Sequence, residues 1–290
     1  MTNRSIAAIV CAVVAAMLFA VASVAQQRAA AAVPGDASLV RSLLRNKRWW
    51  AAIVGDAGGY GMQVLALAFG AVLVVQPILV SSLVFALPLS ARLNHQRITG
   101  RAAATALVLV TALVLFLVIG DPTAGEQTAP LREWLVPLAI LLSVVAIATL
   151  AGVLLRNPSE RALCLGLAGG ALFGLAAALT DRVVTLFGDG PGSVITGWQT
   201  WALVGAGLLG FYLQQRAYQA GPLSASLPAA AVAEPLAAAF LGLTALNEQL
   251  RTDDLGLVAV VTCVVVMCGA TVVLCRTQAA PLPEAADTAH

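Results

Sequence analysis

From Ala102 to Gly120 the chain carries no ionisable side chain, and only Thr105 and Thr111 bring side-chain hydrogen-bonding groups. A helix of about 20 apolar residues spans the ~30 Å hydrocarbon layer of a bilayer. It also satisfies its own backbone N–H and C=O groups there, which an irregular segment cannot do. Comparable runs recur along the whole length. Of the 290 residues, 60% are hydrophobic and 10% charged, where a soluble domain carries about 25% charge. Mean hydropathy is +0.92. The expected fold class is therefore all-α, a polytopic membrane protein.

Hydrophobic patterning predicts nine transmembrane helices, at about 5–26, 49–75, 77–93, 102–120, 133–155, 161–182, 194–216, 222–246 and 255–275. Pro77 and Pro222 are placed at helix starts, where a missing N–H costs nothing. The links before them are then tight. The first apolar run is read as a retained helix rather than a cleaved leader, because Arg28, Arg41, Arg45, Lys47 and Arg48 follow it and resist translocation.

Alternating connections sort the basic residues. Arg28, Arg41, Arg45, Lys47, Arg48, Arg92, Arg97, Arg101, Arg156, Arg161, Arg216 and Arg276 fall on one side; Arg4, Arg132, Arg182 and Arg251 fall on the other. Lys and Arg stay preferentially in the cytoplasm. The expected placement is a multi-pass protein of the plasma membrane with its N-terminus outside and its C-terminus inside.

The chain also echoes itself. Gln214 stands 151 positions after Gln63, and at the same offset Trp50, Ala51, Gly59, Ala66, Gly70 and Pro77 meet Trp201, Ala202, Gly210, Ala217, Gly221 and Pro228. Five predicted crossings separate each matched pair, so the matched helices run in opposite directions. That is the arithmetic of an inverted repeat, the plan of many secondary transporters. The fifth predicted span has no mate. The expected organisation is a first half over 1–132 with helices 1–4, a second half over 133–276 with helices 5–9, and a disordered cytoplasmic tail over 277–290.

Candidate site residues are the polar side chains that the spans carry. Asp56, Gly59, Gln63 and Gly70 recur at intervals of three, four and seven and share one helix face. Gln214 matches Gln63, with Tyr218 and Gln219 about a turn further on. Glu234 lies in the middle of SASLPAAAVAEPLAAAFLGL, followed by Pro235. A carboxylate at that depth is expensive unless it faces water, a cation or a hydrogen-bonding partner, which makes it a candidate for substrate binding or proton exchange. Interhelical packing and hydrogen bonding is the competing account of the glutamines. Arg216 is expected to snorkel to the interface, and Asp181 with Arg182 to pair at the end of a span.

Other chemistries lack support. The five cysteines are scattered in apolar segments, as packing residues are. His95 and His290 form no metal cluster, and neither a phosphate-binding loop nor a dinucleotide fingerprint is present. No enzyme activity, cofactor or nucleic-acid partner is expected. The basic run from Arg41 to Arg48 suits anionic membrane lipids, and a homodimer is left open.

The stretch WWAAIVGDAGGYGMQVLALAFGAVLVVQPILVSSLVFALPLSARLNHQRIT resembles the drug/metabolite transporter superfamily, EamA-like, and within it the NIPA-type magnesium transporters. The resemblance rests on Trp49, Trp50, Asp56, Gly70, Gln76, Pro77, Leu93 and Asn94. His95 departs from the usual glutamate, while Leu246, Asn247 and Glu248 restore the pattern in the second half. Gly59 stands where a polar residue is expected. The resemblance implies a ten-helix fold of five plus five, here lacking the first helix. It implies a secondary transporter moving a small metabolite, drug-like cation or lipid-related molecule by alternating access. Magnesium transport and a non-transporting scaffold or lipid-binding protein are the alternatives.

Overall fold

The computed structural model describes residues 3–31, 47–93, 98–123, 131–221 and 223–278. Among these residues are eleven α-helices, in order: α1 (Asn3–Ala31), α2 (Lys47–Phe69), α3 (Val72–Val80), α4 (Ser82–Leu93), α5 (Gly100–Gly120), α6 (Leu131–Leu154), α7 (Pro158–Leu186), α8 (Pro191–Thr196), α9 (Trp198–Ala220), α10 (Leu223–Thr244) and α11 (Asp254–Gln278). Two short strands, β1 (Pro122–Thr123) and β2 (Gln249–Leu250), pair antiparallel and tie the end of α5 to the segment after α10.

Among the described residues, six helical segments are long and apolar enough to cross a membrane: Arg4–Ala22, Gly100–Gly120, Leu131–Leu154, Pro158–Leu186, Ala225–Thr244 and Asp254–Leu274. This corrects the expectation of nine transmembrane helices. The predicted second span becomes α2, whose apolar part is only Ile53–Phe69. The third breaks into α3 and α4 at Ser81, with Val72–Ala86 as its apolar part. The seventh becomes α9, which ends in the polar Gln214, Gln215 and Arg216 and does not qualify.

The inverted repeat and the ten-helix fold lacking its first helix are corrected by the same finding. Two of the qualifying segments end before residue 131 and four begin at or after it, so the halves are not equivalent sets of spans. Pro77 is also corrected: it lies inside α3, not at a helix start. Pro222, Arg41, Arg45, Arg97 and His95 lie outside the described residues, as does the tail beyond Gln278.

Local sequence explains several boundaries. Thr99 caps α5 by accepting from the Ala102 N–H at 3.2 Å. Asn157 caps α7 by accepting from the Ser159 N–H at 3.0 Å, with Pro158 at the first position. Outward faces of α5, α6 and α11 expose Leu107, Val118, Ile147, Leu154, Val258 and Val265. Apolar side chains in such numbers on the outside of a helical bundle suit lipid, not water. The chain is a polytopic helical membrane protein.

The centre of the bundle is α7, packed between α9 and α10 and touching α6 and α2. Glycine makes this possible. Gly166, Gly170 and Gly174 recur every four residues and meet Ser226, Ala230 and Glu234 of α10, also spaced by four. A Cβ on Gly166 would fall 2.7 Å from the Ser226 carbonyl oxygen, and one on Gly170 or Gly174 would overlap the backbone of Ala230 or Glu234. Small residues at this spacing let two helix backbones touch.

Candidate functional site

The first half contributes α1 to α4. Phe19 of α1 covers Gly59 of α2, where a Cβ would lie 2.8 Å from its ring. Beside this contact Asp56, Tyr60 and Gln63 of α2, together with Phe19, line a cavity of about 670 Å³. Its wall includes Gln76 of α3, Ser82 of α4, Phe173 of α7, Gln214 of α9 and Glu234 with Pro235 of α10. Among the described residues, no Lys, Arg or His is in that wall.

Of the residues expected from sequence, Asp56, Gln63, Gln214 and Glu234 are brought to this one cavity. Gln63 is buried, while Asp56, Gln214 and Glu234 are half-buried. Gln219 is exposed and is not among the lining residues, and the Tyr218 side chain lies outside what is described. Arg216 is exposed at the end of α9.

Sequence reasoning missed Tyr60 as a site residue and gave Gln76 no role there. Tyr60 stands four residues after Asp56 and three before Gln63, so the same periodicity reaches it. Gln76 was visible as the single polar side chain in VLVVQPILV, a signal of the kind that singled out Glu234.

The hydrogen bonds assign donors and acceptors. Thr180 Oγ1 donates to the Ala176 carbonyl at 2.8 Å. A hydroxyl has one proton, so the 2.9 Å contact between Tyr60 and Thr180 is donated by Tyr60. The Tyr60 oxygen keeps its lone pairs and no proton to offer. Gln76 is 2% exposed, and its Nε2 has no hydrogen-bond partner among the described residues. Pro235 has no N–H for the Ala231 carbonyl one turn back, and both residues line the cavity.

One end of the bundle is held by Glu248. Its carboxylate accepts from the Val72 N–H at 2.7 Å and the Leu73 N–H at 2.9 Å. These are orphan donors at the start of α3, where Ala71 supplies no side-chain cap. The positive end of the helix favours an anion there. The segment after α10 curls back to make this contact: Asn247 adopts the left-handed conformation with φ 53°, and the Glu248 N–H donates to the Gly242 carbonyl at 2.9 Å. Gly242 leaves the necessary room, since a Cβ there would lie 2.8 Å from Glu248 Oε2.

Burial pushes the Glu248 carboxyl up to about 7, against the opposing pull of the Leu73 and Val72 N–H groups. Asp181 lies within electrostatic reach of both Glu248 and Arg182. At the same end, Asn247 Nδ2 donates to Glu133 Oε2 at 3.0 Å, and Trp134 meets Trp198 edge to face at 5.7 Å. From Gln76 the cavity wall continues through Leu79, Ser82 and Ala86, away from the end that Glu248 caps.

A second hollow of about 730 Å³ lies between α7, α10 and α11. Leu163, Leu167, Val232 and Val272 line it, with Glu160 and Arg276 of opposite charge. Asp56, Gln63, Gln214, Gln219 and Glu234 are not among its lining residues.

The chain is 36% identical over 285 residues to an uncharacterized protein of Corynebacterium glutamicum, a match covering 96% of this chain and 98% of that protein. No family model matches, and no solved structure matches.

Proposed function

We propose a carrier function for the family to which this chain belongs together with the uncharacterized protein of Corynebacterium glutamicum. The substrate is a small organic cation, moved across the plasma membrane by alternating access. One observation carries the reading: Asp56 and Glu234, from different helices, share a cavity wall. Two carboxylates on one cavity wall favour a cation, and in a low-dielectric site that preference is strong. Phe19, Tyr60 and Phe173 add aromatic surface on which an organic cation rests well. The volume fits a metabolite-sized molecule.

Glu234 binds the cation or exchanges it for a proton. Gln63 and Gln214 orient polar groups of the substrate. The N-terminus faces outside and the C-terminus the cytoplasm, following the distribution of Lys and Arg. The capping of one end by Glu248, with the cavity running away from it, suits a carrier closed on one side.

Magnesium is the second reading, favoured by the two acids in one cavity. An ion that keeps several of its waters can be held by one or two carboxylates. Uptake into proteoliposomes separates the two. Organic monocations and Mg²⁺ are offered with and without a proton gradient, to the parent protein and to Glu234→Gln. The carrier reading expects uptake of an organic cation that is lost in a still-folded Glu234→Gln and changes with the gradient. A scaffold predicts altered assembly with no flux in either protein. Absence of response to every cation and gradient would overturn coupled transport.

A further inference from the structure

The hollow between α7, α10 and α11 is graded in polarity along its length. Its polar lining side chains among the described residues are Ser159 and Glu160, in the first turn of α7, and Arg276, in the last turn of α11. The rest of the lining is apolar. Helix α10 packs against both other helices and supplies a floor of small side chains, Ala225, Pro228 and Ala229. Leu163 and Leu167 stand exposed on the α7 wall, so the hollow is a groove open to the outside of the bundle. From Glu160 to Leu167 the helix advances about 10 Å, and α10 advances as far from Ala225 to Val232. Arg276 follows the membrane-length segment Asp254–Leu274 by two residues. The charged end therefore belongs at the bilayer surface and the apolar part within the hydrocarbon.

Helix dipoles favour an acid at the start of α7 and a base at the end of α11. They do not require both charges to face one hollow from different helices, above an apolar channel. Glu160 Oε1 accepts from Asn157 Nδ2 at 3.3 Å. A carboxylate has about four acceptor sites and a guanidinium five donors, so this bond leaves Glu160 with capacity for a further partner.

We propose that the groove binds a phospholipid whose headgroup carries a primary ammonium, of the phosphatidylethanolamine class. Arg276 meets the phosphate, Glu160 meets the ammonium, and an acyl chain lies along Leu163, Leu167, Val232 and Val272. Basic pockets between membrane helices hold lipid headgroups in this manner. Phosphatidylcholine has no N–H to give Glu160, and phosphatidylglycerol brings a phosphate with no cation to offset the acid. The site is independent of what the central cavity carries.

Leu163→Trp places a fluorophore on the groove wall, and Leu167→Trp does the same four residues deeper should the first fail to fold. Each is reconstituted in dioleoyl phosphatidylcholine with a rising fraction of one lipid brominated on its acyl chains, bearing an ethanolamine, choline or glycerol headgroup. Quenching beyond that of the parent's own tryptophans reports occupancy of the groove. The ethanolamine lipid is expected to be preferred over the other two by about two- to fivefold, the scale of an exposed ion pair. Glu160→Gln in the same background should remove the preference over choline and relieve the penalty on glycerol, whereas Arg276→Gln should disfavour glycerol further. Glu160 and Arg276 are both exposed, so these variants should melt near the parent.

Equal quenching by the three lipids, a preference for the glycerol headgroup, or a preference that Glu160→Gln leaves unchanged would overturn the proposal. Absence of added quenching at both tryptophans would show the groove covered by protein, a second copy of the chain or its own tail, and would overturn it as well.

Discussion

Helices α10 and α3 both stand beside the cavity, yet they are held there by different physics. Helix α10 lies backbone to backbone on α7, because Gly166, Gly170 and Gly174 offer no side chain to keep it away. Helix α3 is a short segment, Val72–Val80, whose N-terminus is satisfied by one carboxylate from a loop 175 residues further on. The first arrangement is steric and independent of protonation. The second depends on a single ionisable group. The difference teaches where the cavity wall is fixed and where it answers to conditions.

The largest expected effect breaks the steric side of that contrast. Gly170→Leu places a branched side chain where even a Cβ overlaps the Ala230 backbone. Overpacking of this kind costs about 1–3 kcal/mol, and more when the neighbour is backbone. We expect loss of monodisperse protein on size exclusion, or a steep fall in melting temperature. A normal melt would contradict the close approach of α7 and α10.

Next comes the capping side. Glu248→Ala strips the acceptor from two buried N–H groups and should destabilise by roughly 1–3 kcal/mol. Glu248→Gln, which keeps one acceptor oxygen, should lose less. Thermal unfolding of the two variants ranks them, and equal losses would mean that the contact contributes through packing alone.

Glu248 also sets a pH dependence. Burial raises its pKa from 4.5 to about 7 in the folded protein, so the folded state holds this proton more tightly than the unfolded chain does. The resulting stabilisation is complete below about 4.5 and is lost as pH rises through about 7. Asp181 lies within electrostatic reach of Glu248, so the informative quantity is the difference between the parent and Glu248→Gln. That difference should shrink to a constant outside this window. A flat difference across it would remove Glu248 as the responsive group.

The smallest effect sharpens the contrast by showing that glycine matters only where helices touch. A Cβ at Gly205 of α9 meets nothing within 4 Å. Gly205→Ala should therefore be neutral or stabilising by up to about 1 kcal/mol through helix propensity. A large loss would place an unseen neighbour on that face.

How much of this was legible in the sequence follows from the range of the interactions. Uninterrupted runs such as Ala102–Gly120 declare themselves as helices, because length and apolarity are local properties. The polar positions within apolar runs, Asp56, Gln63, Gln214 and Glu234, could be picked out for the same reason. The break at Ser81 could not. There the Ser81 N–H turns to the Ile78 carbonyl at 3.0 Å and its hydroxyl takes the same acceptor at 2.6 Å. Nor could the start of α3 ahead of Pro77, which depends on Glu248 and so on the tertiary fold. Counting apolar stretches gave the first residues of α3 to the span over 49–75, joined the rest of α3 to α4 in the span over 77–93, and gave α2 and α9 the same standing as α5. The matched identities between the halves then suggested an equivalence that the helices do not keep.

The glycine contact on α7 has a consequence for Glu234. Its own main chain abuts Gly174, so the carboxylate is mounted on a helix seated directly against α7, the most buried of the described membrane-length helices. It cannot travel toward either surface of the bilayer unless that pair travels too. On the carrier reading, any change in which surface the acid can be reached from comes from the opposite wall, where α3 and α4 are short and meet at Ser81.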